Sequence, residues 1–278
     1  MKIKIALFLL ISLFVNSHHG YGQNYGSISY QKAVNISGKQ RMLSQRIAKI
    51  KVLSALKPMT AKMKTEYTSS ITLFERNLKI LEENATGQSS KVRALVKQEL
   101  SAWERFITKV HSPKASVKGI LEEAPKLLSK CHELVIAIEE ESKFTNELSD
   151  SKKEKQLRVE TINISGKQRM LSQKLCLYYA ASLYFNKYNR INEGEVATKI
   201  YRDIYNKMDA VVNDLMVNEL NDSDIDITLS KILQLMEGEI NDRRKDFMKN
   251  DIPLEKINLT SNTLLDLFNK LTSQYSLL

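Results

Sequence analysis

Arg41 and Arg169 occupy the same place in a segment that this chain contains twice. The segment NISGKQRMLSQ runs from Asn35 to Gln45 and again from Asn163 to Gln173, identical at all eleven positions and offset by 128 residues. A guanidinium is planar, stays charged at any ordinary pH, and presents a fork of donors that fits a carboxylate or a small oxyanion. The motif holds no carboxylate of its own. Acidic residues are also missing from residues 1–65 and from the stretch between Glu160 and Glu193, and both windows contain the motif. This local basic excess favours small anions.

A helical wheel puts each arginine in an awkward place. At about 100° per residue, Ile36, Leu43, Ile47 and Ile50 share one face, while Val34, Gly38, Met42, Val52 and Leu56 share a second. In the second copy Ile164, Leu171, Leu175 and Tyr178 form the first face, and Gly166, Met170, Ala180 and Tyr184 the other. Arg41 with Gln45, and Arg169 with Gln173, lie in or beside the second apolar face. A bundle helix needs only one apolar face, so two imply a further packing partner. An arginine on a packing face is costly unless something accepts its hydrogen bonds. The acceptor is either a Glu from another helix or a small anionic ligand. Gly38 and Gly166 cost about 1 kcal/mol each relative to Ala inside a helix, a cost that makes sense where a backbone or a ligand comes close.

The elements that must position these residues are helices. The chain has few Gly and four Pro, and its apolar residues recur at helical spacing. The pattern predicts an all-α protein of two tandem four-helix bundles, 28–150 and 155–278. Helices are expected near 28–57, 60–84, 89–111 and 114–149, then near 155–189, 195–220, 226–249 and 253–275. Pro58, Asn84 with Gly87, Ser112-Pro113, Asn192 with Gly194, Asn221-Asp222-Ser223, and Asp251 with Pro253 mark the boundaries. Helical chemistry between Ser116 and Asn186 is interrupted by Gly119 and Pro125 early on and otherwise only by the motif's own Gly166. A single continuous helix is therefore expected to join the bundles end to end, with Cys131 and Cys176 too far apart to pair. A turn at Ser149-Asp150-Ser151, where Ser151 and Glu154 have capping-box spacing, is the alternative.

Residues 1–22 read as a secretory signal peptide. Lys2 and Lys4 precede the apolar run Ile5 to Val15, and Gly20-Tyr21-Gly22 suits cleavage near Gln23. A periplasmic or secreted protein follows. With no zinc-finger spacing, stacking aromatics or basic Gly-rich loop, the net charge of +10 does not point to nucleic acid. His111 and His132 lack metal-ligand spacing, and no nucleophile elbow, phosphate loop or carboxylate pair is present, so neither a metal, a cofactor nor an enzyme activity is expected. His132 reads as a solvated or capping residue, and Glu139-Glu140-Glu141 as a solvated helix face.

The motif N-x-x-G-x-x-R-M-x-S, in the longer form NISGKQRMLSQR here, resembles that of the NarX/PilJ-type sensor domain of nitrate/nitrite sensors and type IV pilus chemotaxis transducers. The resemblance is strong over the motif helices and rests on length and order elsewhere. It implies an extracytoplasmic four-helix bundle in which the motif arginines of two subunits grip an anion. By position these are Arg41 and Arg169, with Asn35, Gly38, Met42 and Ser44, and Asn163, Gly166, Met170 and Ser172, matching beside them. Gln45 and Gln173 join the site from the wheel. The expected function is an exported sensory or binding module for a small anion, with a nitrate-like oxyanion as candidate. A homodimer through the motif helices and a membrane-bound signalling partner are its candidate associations. The alternative is a helical adaptor in which the motif only packs helices.

Overall fold

The computed structural model describes residues 24–112, 116–145 and 152–278. The expected signal segment, Pro113 and the alternative turn at Ser149-Asp150-Ser151 lie outside the described residues. The described chain forms helices α1 (Tyr30–Leu56), α2 (Ala61–Asn84), α3 (Ser90–His111), α4 (Val117–Thr145), α5 (Lys152–Lys187), α6 (Ile191–Met216), α7 (Ser223–Met236), α8 (Arg244–Lys249) and α9 (Leu254–Leu277). Among the described residues the fold is all-α, with only an isolated bridge between Tyr25 and Ile28.

Local chemistry sets the helix starts. The Ser29, Thr60, Ser89 and Asp222 side chains accept from Lys32, Met63, Val92 and Ile225 backbone N–H groups, each contact worth about 1 kcal/mol. Asn84 closes α2, and its Oδ1 accepts from Ser27 N at 2.7 Å, tying the entrance of α1 to the end of α2. The helix expected at 226–249 is broken instead. After α7 the backbone widens into a π turn, Glu237–Asn241, and α8 ends on Asn250 at φ 64°. The wheel also misplaces Ile164, which is 45% exposed.

The end-to-end arrangement is not what the chain adopts. Asn163 Nδ2 donates to Glu139 Oε2 at 2.9 Å. In one continuous helix these residues would lie about 36 Å apart at 1.5 Å per residue. The chain therefore reverses between α4 and α5, and the two halves lie side by side. Cys131 and Cys176 are both buried free thiols.

The direction of α5 follows from α9. Lys49 Nζ on α1 donates to Asn262 Oδ1 at 2.7 Å, and Gln173 Nε2 on α5 donates to the neighbouring Ser261 carbonyl at 3.1 Å. Farther along, Lys57 pairs with Glu255, and Tyr179 donates to the Ile252 carbonyl. So α9 runs antiparallel to both motif helices, and these run parallel to each other. They form the most extensive helix–helix contact in the molecule. Gly38 and Arg41, from the second face of α1, lie against the other copy at Arg169 and Asn163. A homodimer through the motif helices would have to displace a contact already made within the chain.

Candidate functional site

The motif helices α1 and α5 each bury a row of polar side chains, some in the seam between them and some against other helices, as Gln40 is in donating to the Phe74 carbonyl of α2 at 3.0 Å. Ser37, Gln40, Arg41, Ser44 and Gln45 on α1, and Ser165, Gln168, Arg169, Ser172 and Gln173 on α5, are all at most 3% exposed. The serines meet part of this demand within their own helices. Ser44 Oγ donates to the Arg41 carbonyl at 2.8 Å, and Ser172 Oγ to the Arg169 carbonyl at 2.9 Å.

The arginines cross the seam. Long helical side chains lean towards the N-terminus of their own helix. Arg41 Nη2 thereby reaches Asn163 Oδ1 at 2.9 Å, and Arg169 Nη1 reaches Asn35 Oδ1 at 3.3 Å. Each arginine of one copy thus meets the first asparagine of the other. A Cβ placed on Gly38 would lie 3.5 Å from both Arg41 Nη2 and Arg169 Nη2, so the two nitrogens are at most twice that distance apart. A Cβ on Gly166 would lie only 2.9 Å from Arg169 Nη2. The glycines leave the space that the two cations occupy.

Among the described residues no carboxylate bonds either guanidinium. Arg41 bonds Asn163 and approaches His132 Nδ1 at 3.4 Å, and its Nε is buried without a partner. Arg169 bonds Asn35 and the Gly166 carbonyl. Among the described residues neither forms an ion pair. Burial pushes both guanidinium pKa values down to about 10, against an ordinary 12.5. For Arg169 the next cause is the charge of Arg41; for Arg41, burial is partly offset by Cys131 and Glu139.

Of the ten residues expected at the site, the structure gathers Asn35, Asn163, Gly38, Gly166, Arg41 and Arg169. Ser44 and Ser172 turn back to their helices. Gln45 Nε2 is held by Ser44 Oγ at 3.2 Å, and Gln173 by Ser261 on α9, one turn beyond the guanidiniums.

Two neighbours of the pair were not legible beforehand. His132 lies beside Arg41, and burial, then Arg41 and Lys167, hold its pKa below the usual imidazole value. Glu139 is buried and braces Asn163. The solvated reading of the Glu139-Glu140-Glu141 face needs correction. Glu141 is also buried and accepts from Ser89 N at 2.7 Å, capping α3, and only Glu140 is exposed, paired with Lys91. Nothing in an acidic triplet or a lone His distinguishes these roles before the helices are packed.

This geometry can be compared with known proteins. Residues 28–124 match the PilJ family, the type IV pili methyl-accepting chemotaxis transducer N-term. The PilJ match spans α1 to the first part of α4 and includes the first motif copy with Arg41. That stretch is similar to a transducer's sensory region. No curated protein and no solved structure matches the chain. No helix among the described residues is long and apolar enough to cross a membrane.

Proposed function

We propose that this protein is an exported sensory module that binds a small anion, with a nitrate-like oxyanion as one candidate, between Arg41 and Arg169, and that it signals through a membrane-bound partner. The observation that carries the reading is the pair of buried guanidiniums facing each other across the α1–α5 seam with no ion pair to either among the described residues. Buried cations are ordinarily paired. A bound anion supplies the missing charge and accepts from both forks at once. On this reading the second motif copy plays the part that a second subunit plays in the sensors the motif resembles, so tandem NarX/PilJ-like units make one site per chain. The signal segment at residues 1–22 and the PilJ match support an extracytoplasmic location.

A thermal-shift titration of the exported chain with nitrate, nitrite and sulfate tests it. A ligand that binds only the native state raises the midpoint. Arg41→Ala and Arg169→Ala each remove a charge-assisted contact worth about 1.5–3 kcal/mol, so each lowers affinity about tenfold or more. The adaptor reading draws on the Arg41–Asn163–Glu139 chain, which links three helices. It is established if no anion shifts the parent and Arg41→Ala destabilises the unliganded protein.

A further inference from the structure

The two flanks of the α1–α5 seam are related by the repeat, yet they differ in charge. On the α4 side, Asn163 is fixed by the buried carboxylate of Glu139, and Arg41 points towards it. On the α9 side the corresponding asparagine, Asn35, opens with Arg169 onto a cavity of about 390 Å³. Lys39 and Arg46 also line this cavity, together with hydroxyl and amide groups such as Asn269 and Ser273. None of its lining side chains is acidic. Arg46 pairs with Glu66 at 3.7 Å. Lys39 makes no ion pair among the described residues. Burial and then Arg169 and Arg76 lower its pKa, which places its ammonium in the field of other cations.

A cavity of that size falls within the range of about 300–1,000 Å³ typical of organic small-molecule sites. A bare oxyanion at the guanidinium pair leaves most of it unused and leaves Lys39 without a counter-charge. We infer that the ligand is an organic dianion, a short-chain dicarboxylate or hydroxydicarboxylate. One carboxylate lies in the seam at Arg169, Arg41 and Asn35, the second meets Lys39, and the body of the molecule rests against the hydroxyls of α9. This rests on the anion-binding reading above and names the ligand class of the same site. The Glu139 flank does not admit a second anion, because its asparagine already has a carboxylate, so one ligand binds per chain.

Isothermal titration calorimetry on the full exported chain tests the assignment, with succinate and malate as dianion probes and nitrate and acetate as monoanion probes. The dianions are expected to bind at least tenfold more tightly than either monoanion, with one site per chain. Lys39→Met removes that preference, cutting dianion affinity tenfold or more and leaving monoanion binding unchanged. Ser273 is exposed, so Ser273→Phe narrows the cavity without touching the core, and it has the same effect even if Lys39→Met fails to fold. Nitrate binding as tightly as the dianions, or dianion binding untouched by Ser273→Phe and by a folded Lys39→Met, overturns the dicarboxylate inference and leaves the oxyanion reading standing. If no anion of either class binds, both readings fall.

Discussion

Replacing Arg169 by Met is expected to stabilise the unliganded protein. The substitution keeps an apolar stem of similar length and removes the charge. The fall of the Arg169 pKa from 12.5 to about 10 corresponds to about 3 kcal/mol of unfavourable free energy at neutral pH, at 1.36 kcal/mol per pKa unit. The sign follows from linkage. A base whose pKa is depressed in the folded state costs stability at every pH below about 10 and regains it as pH rises towards 12.5. Against this gain stand the bonds to Asn35 and the Gly166 carbonyl, both longer than 3.1 Å, whose loss costs about 1 kcal/mol each. The net is about 1 kcal/mol of stabilisation, or about 2–4 °C in midpoint for a chain of this size. Chemical denaturation in a buffer free of organic acids and oxyanions measures it, and the same variant should show no anion-dependent shift. A loss of about 3–5 kcal/mol would refute the reasoning, because that is what removing one partner of a buried ion pair produces.

The remaining predictions concern the surroundings of the pair. Burial raises the Glu99 pKa to about 7. Its stabilising effect, as a carboxyl that stays protonated in the folded state, is present below the unfolded value near 4.5 and is lost as pH rises through about 7, so Glu99→Gln should add about 3 kcal/mol at pH 8 and little at pH 4, read from denaturation curves at the two values. His132, depressed by burial and by Arg41, contributes stability that is present above its unfolded pKa of 6.5 and lost as pH falls below it; His132→Gln should flatten the stability profile on the acid side of that value. Gly38→Ala meets only ordinary contacts at 3.5 Å and should stabilise the unliganded chain by up to about 1 kcal/mol, while its methyl, lying between the two guanidiniums, should weaken anion binding. Gly166→Ala pushes into Arg169 Nη2, so it should fold and yet lose anion affinity, which calorimetry on the two variants compares.

Most helix boundaries were legible because they depend on neighbours in sequence. Ser29, Thr60, Ser89 and Asp222 cap within three residues, and Pro58 and Asn84 stop helices where they stand. The second packing face of the motif helices was legible too, since it is a matter of periodicity. The joint between the halves was not. Helical propensity runs almost unbroken from α4 into α5, and the reversal is held by a tertiary bond, Asn163 to Glu139, that no local pattern encodes. The same limit hid Glu141, whose partner is a helix cap 52 residues away. The break after α7 lies at a π turn around Gly238, where the apolar spacing alone reads as one helix. At the site, the wheel put both arginines beside the second face. It could not show that each side chain would pass its own glycine and bond the asparagine of the other copy.

The parallel pairing of α1 with α5 has a physical consequence for how such a site responds to dilution. A cleft assembled from two separate polypeptides vanishes when their concentration falls below the dissociation constant for assembly. Here the halves are tethered, so the encounter is intramolecular, with a local concentration set by the connecting chain and not by abundance. Occupancy of the proposed site would then report the concentration of the small molecule alone, even where this protein is scarce. Tethering also frees each half to change independently: one flank has a buried glutamate at its asparagine, and the other has lysine in an acid-free hollow. Two identical subunits, bound to share every substitution, could not hold that difference.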